Sequence, residues 1–167
     1  MTISKRIGTS WTSSSKGSGL LKFLGSCCWL GYLPKAPGTF GSIAGIALFL
    51  LTRNYNQLVQ TGILFVFILS AIGISERLEK VLRTKDPQEV VIDEAAGMWL
   101  ALIFIWDASS AVIVTGFILF RLFDILKPFP ISLFQTFRGG VGILADDIAA
   151  GMLTNLILRI LIIKGIL

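Results

Sequence analysis

Long apolar runs separated by short polar connections make up most of this chain beyond residue 40. Their length and composition predict helices rather than strands. Only the second of five such stretches approaches the roughly 20 residues needed to cross the hydrocarbon core of a bilayer. The others are short unless the polar residues at their ends belong to the same helices. The stretches cover residues 40–52, 58–75, 95–106, 108–120 and 148–163.

The first 33 residues differ from the rest of the chain. Residues 1–19 are rich in Ser, Thr, Gly and Lys, which predicts a disordered basic tail. Residues 20–33 are apolar and aromatic, and they predict either an interfacial helix or a first packed helix that ends near Gly31. Residues 20–167 would then form one helical domain.

The composition places this domain in a membrane. Hydrophobic residues make up 54% of the 167 residues and charged residues 15%, with a mean hydropathy of +0.80. A soluble protein of this size could not bury so much apolar surface, so lipid must cover part of it. The sequence therefore predicts an all-α fold, a small polytopic membrane bundle with short spans. A very apolar soluble helical bundle, alone or as an oligomer, is the alternative.

Basic residues alternate between the connections. They are frequent before residue 40, in 76–94 and in 121–140, whereas the other two connections hold one and none. Basic connections stay on the cytoplasmic side, so the amino terminus and both large connections are predicted to face the cytoplasm. Every polar motif described below falls on that side, which predicts a single site that faces the cytoplasm. The net charge of +5 comes without a nucleic-acid motif, so anionic lipid and phosphate are the expected partners, not nucleic acid. No obligate protein partner is evident.

The side chains that are missing restrict the chemistry. The chain has no histidine, which excludes His-based phosphatases, Ser-His-Asp triads and His-ligated zinc. The two cysteines, Cys27 and Cys28, are adjacent, and neither has an arginine at the Cys-x₅-Arg spacing of phosphatase loops. They are interpreted as structural thiols.

Two acidic pairs, Asp93-Glu94 and Asp146-Asp147, stand at the starts of apolar stretches. Asp93 begins D-E-A-A-G-M and Asp147 begins D-I-A-A-G-M, so a D-x-A-A-G-M pattern occurs twice. Helix capping would explain one such pair. Two matching pairs entering a membrane are costly without a counter-ion, and a hard divalent cation such as Mg²⁺ is the simplest one.

The glycines of that pattern predict how the two acidic helices meet. Gly97 and Gly151 each follow an aspartate by four residues and so share its helix face. Small residues allow close helix approach in a bilayer, so the two helices are expected to cross tightly and bring Asp93 and Asp147 together.

A third motif, residues 120–130, carries three charges among apolar residues. Arg121 and Asp124 are spaced i, i+3 and predicted to be neighbours, and Lys127 continues the series before Pro128 ends the helix. Arg121 and Lys127 suit a phosphate, and Asp124 suits a metal or the arginine. A purely structural Arg–Asp pair is the alternative.

The turn at residues 31–42 is rich in Gly and Pro and precedes the first long apolar stretch. Backbone N–H and hydroxyl groups of this turn could bind an anion at the start of a helix, and they belong to Gly38, Thr39, Gly41 and Ser42. An ordinary interfacial turn is equally consistent with these residues. The mixed-charge segment 76–89 is interpreted as a solvated amphipathic helix over the site.

Together these motifs resemble the phosphatidylglycerophosphatase A family of bacterial membrane phosphatases. The resemblance covers about residues 25–160 and implies Mg²⁺-dependent hydrolysis of phosphatidylglycerophosphate to phosphatidylglycerol and inorganic phosphate. It places the catalytic and metal-binding acids at Asp93, Glu94, Asp124, Asp146 and Asp147. The matching segments are GYLPKAPGTFGS (31–42), VVIDEAAGMW (90–99), FRLFDILKPFP (120–130) and GVGILADDIAAGM (140–152).

On this interpretation the carboxylates bind Mg²⁺, Glu94 accepts the proton of the attacking water, and Arg121, Lys127 and Lys35 hold the phosphate. One or two metal ions, and direct water attack or an aspartyl-phosphate route, are all consistent with these residues. A small membrane transporter that uses intramembrane acids is the alternative from another class. A lipid phosphotransferase of the CDP-alcohol type lacks its D-G-x₂-A-R pattern here, and a structural oligomer gives no reason for five acids on one side.

Overall fold

The computed structural model describes residues 16–105, 108–129, 131–136 and 139–167, and across these ranges every regular element is helical. Short 3₁₀ turns at Leu30–Tyr32 and Ile131–Thr136 separate the α-helices. The α-helices are α1 Lys16–Gly25, α2 Pro37–Thr52, α3 Gln57–Leu82, α4 Ile92–Leu102, α5 Ser110–Leu126 and α6 Gly139–Ile163. The predicted all-α class is confirmed.

Local sequence signals set several helix ends. Asn56 accepts a hydrogen bond from the Val59 N–H at 2.9 Å and so caps the start of α3, and Ser109 caps α5 through the Val112 N–H. Pro37 opens α2 at a position where no backbone donor is lost. At the other end of α5, Lys127 adopts a left-handed conformation immediately before Pro128.

The polar ends of the apolar stretches belong to the helices. The second stretch, predicted as 58–75, is part of a 26-residue helix that continues through the charged residues Glu76 and Lys80. These two side chains form an exposed ion pair at 2.6 Å with i, i+4 spacing. The prediction of a separate amphipathic helix over 76–89 is therefore wrong, because the first half of that segment is the last part of α3.

Two other predicted boundaries are also wrong. The helix predicted over 20–33 ends at Gly25 and is followed by a turn. The last helix begins at Gly139 rather than near Ile148, so the Asp146-Asp147 pair lies inside α6 instead of at its start. Most of the predicted tail, residues 1–15, lies outside the described residues, and so does Trp106. Residues 16–19 form the first turn of α1.

The short helix α4 is the centre of the bundle. Nine of its 11 residues are buried, among them Met98 and Trp99, and it packs against α2, α3, α5 and α6. The carbonyl groups at the carboxyl end of α4 have no hydrogen-bond donor in their own helix. The side-chain amide of Asn155 in α6 donates to the carbonyls of Ala101 and Ile103 at 3.0 Å. This amide takes the place of the missing helical turn.

The outer helices expose apolar side chains. Leu58, Phe65 and Leu69 on α3 are more than half exposed, as are Met152 and Ile163 on α6. Helices α3 and α6 are long and apolar enough to cross a membrane, and α2 is a shorter apolar helix. A surface this apolar is typical of a lipid-facing one, so the structure agrees with membrane association.

Candidate functional site

The site is built on a close crossing of α4 and α6. A Cβ on Gly97 would lie 2.6 Å from the Asp147 carbonyl oxygen, and one on Gly151 would overlap the Gly97 carbonyl. Any side chain at either glycine would therefore push the two backbones apart. This confirms the crossing predicted from the repeated D-x-A-A-G-M pattern.

A stripe of small residues on α2 packs against the same part of α4. A Cβ on Gly41 would lie 2.7 Å from the Val91 carbonyl oxygen, and one on Gly45 would lie 2.5 Å from that of Ala95. Closer to the site, a Cβ on Gly38 would overlap Glu94 Oε1 and lie 2.8 Å from Arg121 Nη1. The start of α2, the start of α4 and the end of α5 therefore meet at one end of the bundle. Three of the predicted polar motifs thus meet at one end of the bundle, and the side of the membrane that this end faces stays a prediction.

Three carboxylates form the centre of this site. Asp93, Glu94 and Asp147 each place an oxygen so that the three atoms lie within 4.8 Å of one another. Asp93 and Asp147 are both only 4% exposed. The predicted meeting of Asp93 with Asp147 is confirmed, and Glu94 belongs to the same group. These three residues are called the carboxylate triad below.

One oxygen of each triad carboxylate lacks a protein partner. Asp93 Oδ1, Glu94 Oε2 and Asp147 Oδ1 are buried and accept no hydrogen bond from the part of the chain that the structure describes. Buried carboxylates that close together repel one another, and each unpartnered oxygen adds a desolvation cost. A hard divalent cation with oxygen ligands, such as Mg²⁺, would remove both costs. The donor set of the triad therefore fits such an ion.

The other two predicted acids are each paired with a base. Asp124 Oδ2 accepts a hydrogen bond from Arg121 Nη1 at 2.5 Å, which confirms the i, i+3 contact. Asp146 forms an ion pair with Lys127, across 19 positions of the chain. Asp124 also interacts with Asp147, so it stands at the edge of the triad. Each of these two acids is thus paired with one of the predicted phosphate-binding cations.

The remaining predicted phosphate ligands lie along the turn before α2. Lys35 is exposed and holds a left-handed conformation with φ +73°. Thr39 is half-buried in the first turn of α2. Ser42 is fully buried, and its hydroxyl donates to the Gly38 carbonyl at 2.9 Å. That proton is thus used inside the helix, and the phosphate-binding role of these three residues stays a prediction.

Asp86 lies near the predicted site residues, although the sequence interpretation assigned it no role there. It lies in the connection between α3 and α4, and its charge interacts with Lys127, Asp146 and Asp124. Burial raises the pKa of its carboxyl group, and Lys127 opposes that rise. The available signal was the dipeptide Asp86-Pro87, a turn marker inside a segment that was interpreted as a solvated helix.

The cysteines take no part in the site. Cys27 Sγ lies 3.8 Å from the Val91 carbonyl oxygen, to which it donates. Burial, with a smaller effect of Glu94, raises the pKa of the Cys27 thiol to about 12, so it stays protonated at neutral pH. Cys28 is exposed, and both thiols are free. The structure agrees with their interpretation as structural residues.

Comparison with known proteins identifies the family. The family model described as phosphatidylglycerophosphatase A matches residues 23–162, which include α2 to α5, all of α6 except its last residue, and the end of α1. No solved structure matches the chain significantly.

Three curated relatives cover most of the chain. A Bacteroides thetaiotaomicron protein, named provisionally as a phosphatidylinositol-3-phosphatase, is 36% identical over 78% of this chain and 86% of its own length. The phosphatidylglycerophosphatase A of Escherichia coli is 32% identical over 74% of this chain and 73% of its own. That of Haemophilus influenzae is 34% identical, with 73% and 76% covered. The chain therefore belongs to the phosphatidylglycerophosphatase A family and is a phosphatase.

Proposed function

We propose that this protein hydrolyses the terminal phosphate of phosphatidylglycerophosphate in a Mg²⁺-dependent reaction that yields phosphatidylglycerol and inorganic phosphate, as a step of phospholipid biosynthesis. The observation that supports it most strongly is the buried carboxylate triad with its unpartnered oxygens, next to two cation–carboxylate pairs. The names of the Escherichia coli and Haemophilus influenzae relatives support the substrate. The family match favours an enzyme over the transporter alternative.

The membrane placement belongs to the same proposal. The chain crosses the bacterial inner membrane several times, with α3 and α6 as full spans, and its site faces the cytoplasm. The long apolar helices support the spans. The basic residues near the site, among them Lys80, Arg83 and Lys85, support the cytoplasmic side. A lipid headgroup at the membrane surface would then reach the site while its acyl chains stay in the bilayer.

The triad would hold the metal ion. Asp93, Glu94 and Asp147 supply oxygen ligands from two helices that their glycines lock together. Mg²⁺, when bound there, neutralises charge on the phosphoryl oxygens and lowers the pKa of a water ligand. A rigid helix crossing suits this task because small displacements of ligands cost affinity and rate.

The cations beside the triad would hold the phosphate. Arg121 gives one Nη1 hydrogen bond to Asp124 and keeps further N–H donors of its guanidinium. Gly38 lets the start of α2 approach that guanidinium closely, since a Cβ there would lie 2.8 Å from Arg121 Nη1. Lys127 would contact the phosphate from its position beside Asp146, and Lys35 would contact it from the turn before α2.

Glu94 would act as the proton acceptor. Its Oε1 lies against Gly38 and Arg121, where the phosphate is expected, whereas its Oε2 is buried and unpartnered. A carboxylate between the metal group and the phosphate-binding cations can take a proton from the attacking water. Glu94 would thus bind the metal with Asp93 and Asp147 through Oε2 and accept the proton at Oε1.

Phosphate release from phosphatidylglycerophosphate by detergent-purified protein tests this function. With Mg²⁺ present we expect turnover, and with excess chelator we expect a loss of at least about 100-fold, because several kcal/mol of charge stabilisation are removed. Restoring Mg²⁺ to the chelated sample is the control and should restore the rate. Phosphatidylinositol 3-phosphate is assayed in parallel, since a relative carries that substrate in its name. Release that ignores the chelator, or no release by folded protein, would contradict the proposal.

A further inference from the structure

A polar cavity opens beside the Lys127–Asp146 pair, outside the carboxylate triad. Its volume is about 350 Å³, within the range of pockets that bind small ligands. The charged side chains that line it are those of Asp146 and Lys127 together with Glu79, Lys85 and Asp86. Asp146 precedes the triad residue Asp147 in α6 and interacts with its charge, so the cavity lies near the carboxylate triad.

The charged groups of this cavity differ in what they are free to bind. Lys127 and Asp146 are paired with each other. Asp86 has no ion pair and no side-chain hydrogen bond to any residue that the structure describes, although it feels the charges of both members of that pair. Its carboxylate is thus available to accept a hydrogen bond from a ligand.

The backbone holds Asp86 at this position. Its φ is +51°, in the left-handed region, although the residue before a proline ordinarily prefers an extended conformation. Pro87 is buried and anchors the turn on its other side. An unfavourable backbone conformation persists only where the surroundings impose it, so the packing of this turn around Pro87 fixes the backbone of Asp86.

The chemistry of the lining indicates the kind of ligand. Hydroxyl groups need acceptors, which Asp86 offers, and phosphates need cations, which Lys85 and Lys127 offer. A phosphorylated polyol carries both kinds of group. The names of the relatives refer to phosphorylated glycerol and inositol lipids. Glycerol and inositol are both polyols, and they differ in size.

We propose that this cavity binds the polyol part of the lipid headgroup and that Asp86 is a specificity-determining residue, accepting a hydrogen bond from a polyol hydroxyl. The inference rests on the proposed phosphatase function. While the triad and the cations hold the terminal phosphate, the cavity beside them takes the carbon chain that carries it. Asp86 then distinguishes a hydroxylated headgroup from a plain alkyl one.

The first arm of the test uses the wild-type protein alone. Phosphate release is measured from phosphatidylglycerophosphate and from an analogue whose headgroup is built on 1,3-propanediol, which has the same length without the secondary hydroxyl. We expect kcat/KM for the analogue to be about 10- to 100-fold lower, the range for a hydrogen bond to a charged group. Equal kcat/KM values for the two lipids would overturn the inference.

The second arm assigns the discrimination to Asp86. Asp86→Ala should lower kcat/KM for phosphatidylglycerophosphate about 10- to 100-fold and leave that for the analogue unchanged, so the preference disappears. Glu89→Gln, an acid of the same connection that does not line this cavity, should keep the full preference. An equal loss of both activities in Asp86→Ala would overturn the specificity role. Absence of release from either lipid by the wild type would overturn the proposed function itself.

Discussion

Asp147→Asn is expected to lower phosphate release by about a thousandfold, equivalent to about 4 kcal/mol of transition-state stabilisation. Asp147 is 4% exposed, contributes one of the three oxygens of the triad and keeps Oδ1 unpartnered. Asparagine has nearly the same shape but carries no charge, so it is a much poorer ligand for a hard cation. The measurement is kcat and KM for phosphatidylglycerophosphate at saturating Mg²⁺.

Thermal unfolding separates this effect from misfolding. Removing one of several crowded buried carboxylates should not lower the Tm in chelator, whereas the stabilisation by Mg²⁺ seen in the wild type should disappear. Glu76→Gln is the matched control, because Glu76 is an exposed acid whose ion pair with Lys80 is worth little. It should retain wild-type kinetics. An Asp147→Asn protein within tenfold of the wild-type kcat would contradict the assignment of Asp147 to the metal group.

Gly151→Ala should have the second-largest effect, through geometry alone. The added Cβ would overlap the Gly97 carbonyl group, and a backbone carbonyl cannot rotate away as a side chain can. We expect α4 and α6 to separate locally, which would cost about 1–3 kcal/mol of stability. A displacement of about 1 Å between the Asp93 and Asp147 carboxylates would lower kcat about 100-fold. Thermal unfolding and phosphate release measure the two effects.

Gly73→Ala is the control for this substitution. It makes the same chemical change inside a helix, but a Cβ at Gly73 meets nothing within 4 Å. Because alanine is the better helix former, this variant should gain about 0.5–1 kcal/mol of stability and keep its activity. If Gly151→Ala and Gly73→Ala had the same stability and the same activity, the tight crossing of α4 and α6 would not be required for function.

Local spacing predicted the parts of the site that depend on neighbouring residues. The i, i+3 spacing of Arg121 and Asp124 fixed their ion pair. The repeated glycine after each acidic pair predicted the crossing that brings Asp93 and Asp147 together, because small residues in apolar helices mark close contacts. The side of the membrane that this site faces stays a prediction.

Other parts depend on long-range packing that no local pattern reveals. Residues 139–147 look like a glycine-rich loop, but Gly140 is a helical contact point that leaves room for the Ile72 carbonyl of α3. The Lys127–Asp146 pair joins two elements far apart in sequence. No sequence signal indicated a role for Asn155, because its hydrogen bond to the end of α4 joins residues that are far apart in the chain. Asp86 lies near Lys127 and Asp146 because of the conformation of the connection between α3 and α4. No periodic pattern in the sequence indicates such a position.

Binding of Mn²⁺, a substitute for Mg²⁺ with the same preference for oxygen ligands, tests the central claim most directly. Electron paramagnetic resonance would follow free Mn²⁺ as detergent-purified protein is added, so the result does not depend on turnover. We predict that the wild type binds Mn²⁺ in competition with Mg²⁺, that Glu76→Gln binds it equally, and that Asp147→Asn binds it at least about 100-fold more weakly. Wild-type protein that binds no Mn²⁺, or an Asp147→Asn protein that binds it as tightly, would contradict a metal-binding carboxylate triad.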